Sequence, residues 1–153
     1  NSFKNRHTFN VYFIYFLANI YYNSHIIRNK RVLFFMNISV QFQEAVEQNN
    51  IEKVKVFLNN KKLDPSFNRN ICVKYAANKG FSEIVKLLLK DNRVDPACTK
   101  NYAITTAYDN KHFDIVNLLW KNQRVKDTLK DNNPILYNEL IKKDKIQEKV
   151  EEF

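Results

Sequence analysis

The sequence predicts an all-α solenoid, built from three helix-turn-helix repeats and a degenerate repeat that caps the C-terminus. Three observations predict it. First, the chain repeats at a fixed interval. Residues 45–58 read AVEQNNIEKVKVFL, 76–89 read AANKGFSEIVKLLL and 107–120 read AYDNKHFDIVNLLW, each stretch starting 31 residues after the last. A period of that size marks stacked supersecondary units. Second, the apolar residues inside each stretch recur at helical spacing. Third, one glycine and three prolines in 153 residues leave little turn punctuation for a many-stranded β fold. The repeats fall at about 39–69, 70–100 and 101–131, with the cap at 132–153.

Residues 1–35 lie outside this register. Within them, 9–27 read FNVYFIYFLANIYYNSHII. Three readings stay open. The stretch approaches the roughly 20 apolar residues that span a bilayer, although Asn10, Asn19, Asn23 and His25 interrupt it. A secretory leader would need a small-residue cleavage site, which does not follow. The third reading starts from Met36, the only methionine, which stands just before the first repeat. Phe, Tyr, Ile, Asn and Lys have AT-rich codons, so AT-rich sequence translated in frame would resemble 1–35. On that reading the native domain is 36–153.

Each repeat opens with an inner helix. In the second, Cys72, Val73, Ala76 and Ala77 recur at helical spacing. Asn70, Asn101 and Asn132 share one column, and asparagine is a preferred N-cap. The small residues Ala45, Ala76 and Ala107 allow neighbouring helices to approach closely. Gly80 ends the inner helix, because glycine takes the left-handed C′ conformation without steric cost. Asn49 or Asn50, and Asn110 or Lys111, stand there in the other repeats. The outer helix then begins at Ser82, with Glu83 suited to the positive helix end. Its apolar face is Ile84, Val85, Leu87 and Leu88, answered by Val54, Val56 and Phe57, and by Ile115, Val116, Leu118 and Leu119. An extended polar loop with Asp64-Pro65 or Asp95-Pro96 as turn former returns the chain. In the cap, Ile135 and Ile146 sit in register with Ile104 and Ile115, and charged residues follow. A solenoid needs such a polar terminal unit, since no single unit buries its own apolar faces. A frayed charged tail after about Lys143 is the other reading.

The segments GFSEIVKLLLKDNRVDP and KHFDIVNLLWKNQRV resemble the ankyrin repeat, in which a Gly-His turn precedes an Ile-Val-x-Leu-Leu-Leu helix. His112 falls on the turn histidine of that family; Phe81 and Asn50 replace it elsewhere. The Thr-Pro-Leu-His start is absent: Ala103-Ile104-Thr105 and Cys72-Val73-Lys74 stand where Pro-Leu-His would be. The repeats look like the divergent type of large ankyrin families in protists and large DNA viruses. The resemblance spans about 39–132 and implies an ankyrin-like solenoid that binds a protein partner through a concave groove and loop tips. Carried over by position, the groove candidates are Glu47, Gln48, Asn78, Lys79, Asp109 and Asn110. The loop-tip candidates are Asn68, Arg69, Thr99, Lys100, Lys130 and Asp131. The implied protein is a monomer without cofactor. The alternatives are a membrane-tethered adaptor using 9–27, or a remnant of a longer ankyrin protein.

Chemistry other than binding finds little footing. A single glycine excludes both GxGxxG and P-loop nucleotide sites. His7, His25 and His112 share no metal-ligand spacing with one another, with cysteine or with carboxylates. No Ser/His/Asp set stands out, so the chain is not expected to be an enzyme. His112 is expected as a turn hydrogen-bond partner and Trp120 as packing. Cys72 and Cys98 lie in different repeats, with no CxxC, so free thiols in a reducing, cytoplasmic setting are expected. The net charge is +9, yet five of the cations (Lys4, Arg6, Arg28, Lys30, Arg31) fall in 1–35, which holds no acid. The remainder has 25 − 5 = 20 basic against 16 acidic groups. Such a mixed surface argues against nucleic acid as the partner.

Overall fold

The computed structural model describes residues 30–151. Contacts divide the chain into two compact units, 1–36 and 37–153, and the array belongs to the second. The readings of residues 9–27 fall outside the described residues. Eight helices in chain order make up what is described: α1 (Lys30–Glu47), α2 (Ile51–Leu58), α3 (Phe67–Lys79), α4 (Ser82–Leu89), α5 (Cys98–Asp109), α6 (Phe113–Trp120), α7 (Gln123–Asn132) and α8 (Pro134–Glu151). Among the described residues there is no strand. None of their helices is long and apolar enough to cross a membrane.

The helices pair as the period predicts. Inner helix α3 packs on α5, outer helix α2 on α4, and α4 on α6, while α3 and α5 also pack on their own outer partners. The apolar columns form one continuous core. Ala45, Ala76 and Ala107 are buried, as are Val54, Val85 and Val116, and Leu63, Val94 and Val125. Burial of this kind stabilises by roughly 25 cal/mol per Å² of apolar surface, and it is shared between neighbours, so the repeats stand or fall together. Val56 departs from the expected face and is 71% exposed. Its column faces the preceding repeat, and no described outer helix precedes α2.

The turn between paired helices keeps its period in the backbone. Gly80 takes φ +78°, and Asn49 and Lys111, 31 residues before and after, take φ +52° and +62°. Three different residues adopt one left-handed C′ conformation because the fold requires it there.

The return loop differs from expectation. It is not extended. Asp64 Oδ1 accepts from the Ser66 amide at 2.9 Å, and Asp95 Oδ1 from the Ala97 amide at 3.1 Å. These Asx turns give the chain a tight reversal at each Asp-Pro. Next come three consecutive left-handed residues, Asn68, Arg69 and Asn70, with φ 51–55°. Thr99, Lys100 and Asn101 repeat them at φ 57–61°. Left-handed backbone costs a non-glycine residue about 1–2 kcal/mol, so surrounding contacts must hold it.

The asparagine column supplies part of that hold and corrects its predicted role. Asn70 and Asn101 are buried, yet they cap nothing. Asn70 Oδ1 accepts from the Asp95 amide at 2.8 Å, and Asn101 Nδ2 donates to Thr128 Oγ1 at 2.8 Å. Asn70 thus reaches the return loop beyond its outer helix, and Asn101 reaches α7. The side-chain N-caps are instead Asn50 for α2, Asn122 for α7 and Asn133 for α8, accepting from the amides of Lys53, Val125 and Leu136. A cation column adds further ties. Arg93 donates to the carbonyls of Leu63 (2.6 Å) and Leu58 (3.3 Å) in the first repeat, and Arg124 pairs with Asp95 at 3.3 Å.

The cap is where the 31-residue register breaks. Ile135 and Ile146 are 82% and 55% exposed, whereas Ile104 and Ile115 are fully buried. Leu136 and Leu140 take the core positions instead, one residue after Ile135 and two after Asn138, the match of buried Ala107. The cause lies in α7. Positions 130–132, which match the left-handed turns, stay inside a right-handed helix, and the chain re-enters out of step. Two helices, α7 and α8, stand at this end, and α7 begins at Gln123, ahead of the expected start at 132. The C-terminal part is helix and not a frayed tail: Trp120 Nε1 donates to Asp144 at 2.7 Å.

Candidate partner-binding surface

The C-terminal ends of the inner helices carry the groove candidates. Gln48, Lys79, Asp109 and Asn110 are exposed; Glu47 and Asn78 are half-buried. Several are already engaged. Glu47 Oε1 accepts from Gln43 Nε2 at 2.8 Å. The Asn78 carbonyl accepts from Asn110 Nδ2 at 3.1 Å and lies 3.2 Å from His112 Nε2. His112 therefore ties the third repeat to the second, as its turn position implies. Its ring also closes over Gly80, where a Cβ would lie 2.8 Å from Cε1. The ammonium of Lys79 sits 5.7 Å from the centroid of the Tyr75 ring.

Charge in this groove changes from repeat to repeat. Glu47, Asn78 and Asp109 share one column, and Gln48, Lys79 and Asn110 share the next. The field of Glu47 reaches the second repeat, where burial first and that carboxylate second push the Tyr75 hydroxyl upward. The same two causes push the Cys72 thiol up to about 12, so Cys72 is a buried neutral thiol. It and Cys98 are both free.

Loop-tip candidates divide into two groups. Asn68, Arg69, Thr99 and Lys100 are exposed and lie in the left-handed turns. Lys130 and Asp131 are exposed too, but they occupy the last turn of α7 and no loop tip. The missing Asp-Pro explains this: Lys126-Asp127 stands there, and nothing reverses the chain.

Four groups on this side were not singled out by the sequence pattern. Lys74 reaches across to Thr99 Oγ1 at 3.3 Å. Tyr102 is 46% exposed in the column of Ile71. At the cap, Lys143 lies over the rings of Tyr108 (5.5 Å) and Phe113 (5.2 Å), and Glu139 accepts from the Tyr108 hydroxyl. The last pair spans 31 residues, one full period. Trp120 is buried against Tyr137, ring centroids 5.7 Å apart, and is packing. The described residues contain no cluster of three or more His, Cys, Asp or Glu able to hold a metal.

No curated protein and no solved structure matches this chain significantly. A family model described as ankyrin repeats (3 copies) matches residues 42–131. That span takes in every helix pair that keeps the 31-residue period, and more than half of the chain. With its buried columns, its His112 turn and its stacked helix pairs, the chain belongs to the ankyrin-repeat family.

Proposed function

We propose that the array binds a protein partner along the groove formed by Glu47, Gln48, Asn78, Lys79, Asp109 and Asn110, with the tips Asn68, Arg69, Thr99 and Lys100 beside it. Lys130 and Asp131 extend the surface at the cap. Ankyrin repeats are in general protein–protein interaction modules. One observation carries the assignment to this surface. The shared apolar columns are buried, whereas the columns Gln48/Lys79/Asn110 and Arg69/Lys100/Asp131, which change charge from repeat to repeat, are exposed. Selection for packing alone accounts for the first set and leaves the second free to suit a partner. Recognition then rests on shape and charge complementarity, which contribute specificity and association rate. The buried neutral Cys72 and unpaired Cys98 suit a reducing intracellular setting.

Photo-crosslinking tests this reading. A photoreactive side chain at position 79 should trap a partner from cells, whereas one at position 121, beyond outer helix α6, should not. Equal trapping at both positions, or trapping at 121 alone, contradicts it.

A further inference from the structure

Arg69, Lys74 and Lys100 gather where the turns that open α3 and α5 meet. Two contacts fix that gathering. Cys98 Sγ donates to the Arg69 carbonyl at 3.5 Å, and Lys74 Nζ donates to Thr99 Oγ1 at 3.3 Å. Lys100 follows Thr99 in the same left-handed turn. Arg69 and Lys100 are exposed, and Lys74 is half-buried. Among the described residues, no carboxylate pairs with any of the three. Arg93 in the return loop and Arg124 in the first turn of α7 behave differently, being paired with Asp91 and Asp95. The unpaired cations therefore do not follow from a lack of acids in the loops. Tyr102, 46% exposed, opens the inner helix two residues beyond Lys100.

Three cations without a carboxylate partner leave this junction positively charged. Left-handed backbone at Arg69 and Lys100 holds two of them in place at a conformational cost. A short acidic segment of a protein answers this arrangement: carboxylates for the cations and an apolar side chain for the Tyr102 ring. A nucleic-acid strand suits it less well. Glu47, Asp109 and Asp131 lie along the rest of the surface and would repel a continuing run of phosphates.

We propose that Arg69, Lys74, Lys100 and Tyr102 bind an acidic segment of the protein partner across the junction of α3 and α5. This rests on the groove reading and names the chemistry of its ligand. The test uses the full chain and fluorescence anisotropy. The probe is a short labelled peptide of Glu and Asp with a central Leu. Its Gln/Asn counterpart and a single-stranded oligothymidylate serve as comparisons. The acidic peptide should bind more tightly than its amide counterpart. R69Q/K74Q/K100Q should weaken it about tenfold or more, and Lys121→Gln should leave it unchanged. Single Lys100→Gln replaces the triple variant if circular dichroism shows the latter unfolded. Equal binding of acidic and amide peptides overturns the proposal, as does an equal loss in Lys121→Gln. Tighter oligothymidylate binding, lost in the same variant, also overturns it and reassigns the patch to nucleic acid. A partner trapped at position 79 and kept by the triple variant would leave the groove reading standing and end this one.

Discussion

Gly80, Asn49 and Lys111 occupy one column and one left-handed conformation, but only glycine holds it without strain. Gly80→Ala meets two penalties, φ +78° and a Cβ 2.8 Å from the His112 ring. It should cost about 1–3 kcal/mol in urea unfolding. Lys111→Gly at φ +62° should instead gain about 0.5 kcal/mol. Asn70→Ala leaves the Asp95 amide without its acceptor and should cost about 1–3 kcal/mol. Cys72 sets a pH dependence. Its folded pKa is raised to about 12 from the ordinary 9.0, while the unfolded thiol ionises near the ordinary value. Its contribution is intact below pH 9.0 and declines as pH rises from there toward about 12. Urea midpoints between those limits should fall less steeply for Cys72→Ala than for the parent chain. Gly80 was legible from its residue type alone. The role of the asparagine column was not, because a buried bond to the segment beyond the outer helix and an N-cap demand the same side chain.

The helix pairs show why a period predicts some elements better than others. α2, α4 and α6 share a length of eight residues and a common apolar pattern, and their bounds follow from the repeat. The loops carried a weaker signal. Asp64-Pro65 announces a turn, yet nothing local announces three left-handed residues after it. In the cap, the lost Asp-Pro lets α7 run on through 130–132 and shifts Leu136 and Leu140 into the core. Ile135 and Ile146 kept the period and lost their burial. Trp120 secures α8 through Asp144 and Tyr137. Trp120→Phe keeps the ring contact and removes the hydrogen bond, at a cost of about 0.5–1.5 kcal/mol. Hydrogen exchange should quicken in α8 around Asp144 and remain unchanged in α3.

Across the whole molecule, packing and recognition are divided by column. Stability resides in shared apolar columns. Leu88→Ala truncates a fully buried side chain and should cost roughly 2–5 kcal/mol. Lys79→Ala should cost under about 0.5 kcal/mol. The scaffold half of this division was readable from the repeat, since burial imposes the same residue types at the same spacing. The contact half was readable only as exposure and variation. Lys74 and Tyr102 escaped notice because their columns, which also hold Thr105 and Ile71, show no shared chemistry. The central claim is that charge-varying columns recognise and apolar columns support. Its most direct test is the thermal midpoint and partner retention of a Lys79→Glu, Asp109→Lys double variant. The expected result is an unchanged midpoint with the partner lost, while Lys121→Glu retains it. A double variant that melts like the parent and still retains the partner would contradict the claim.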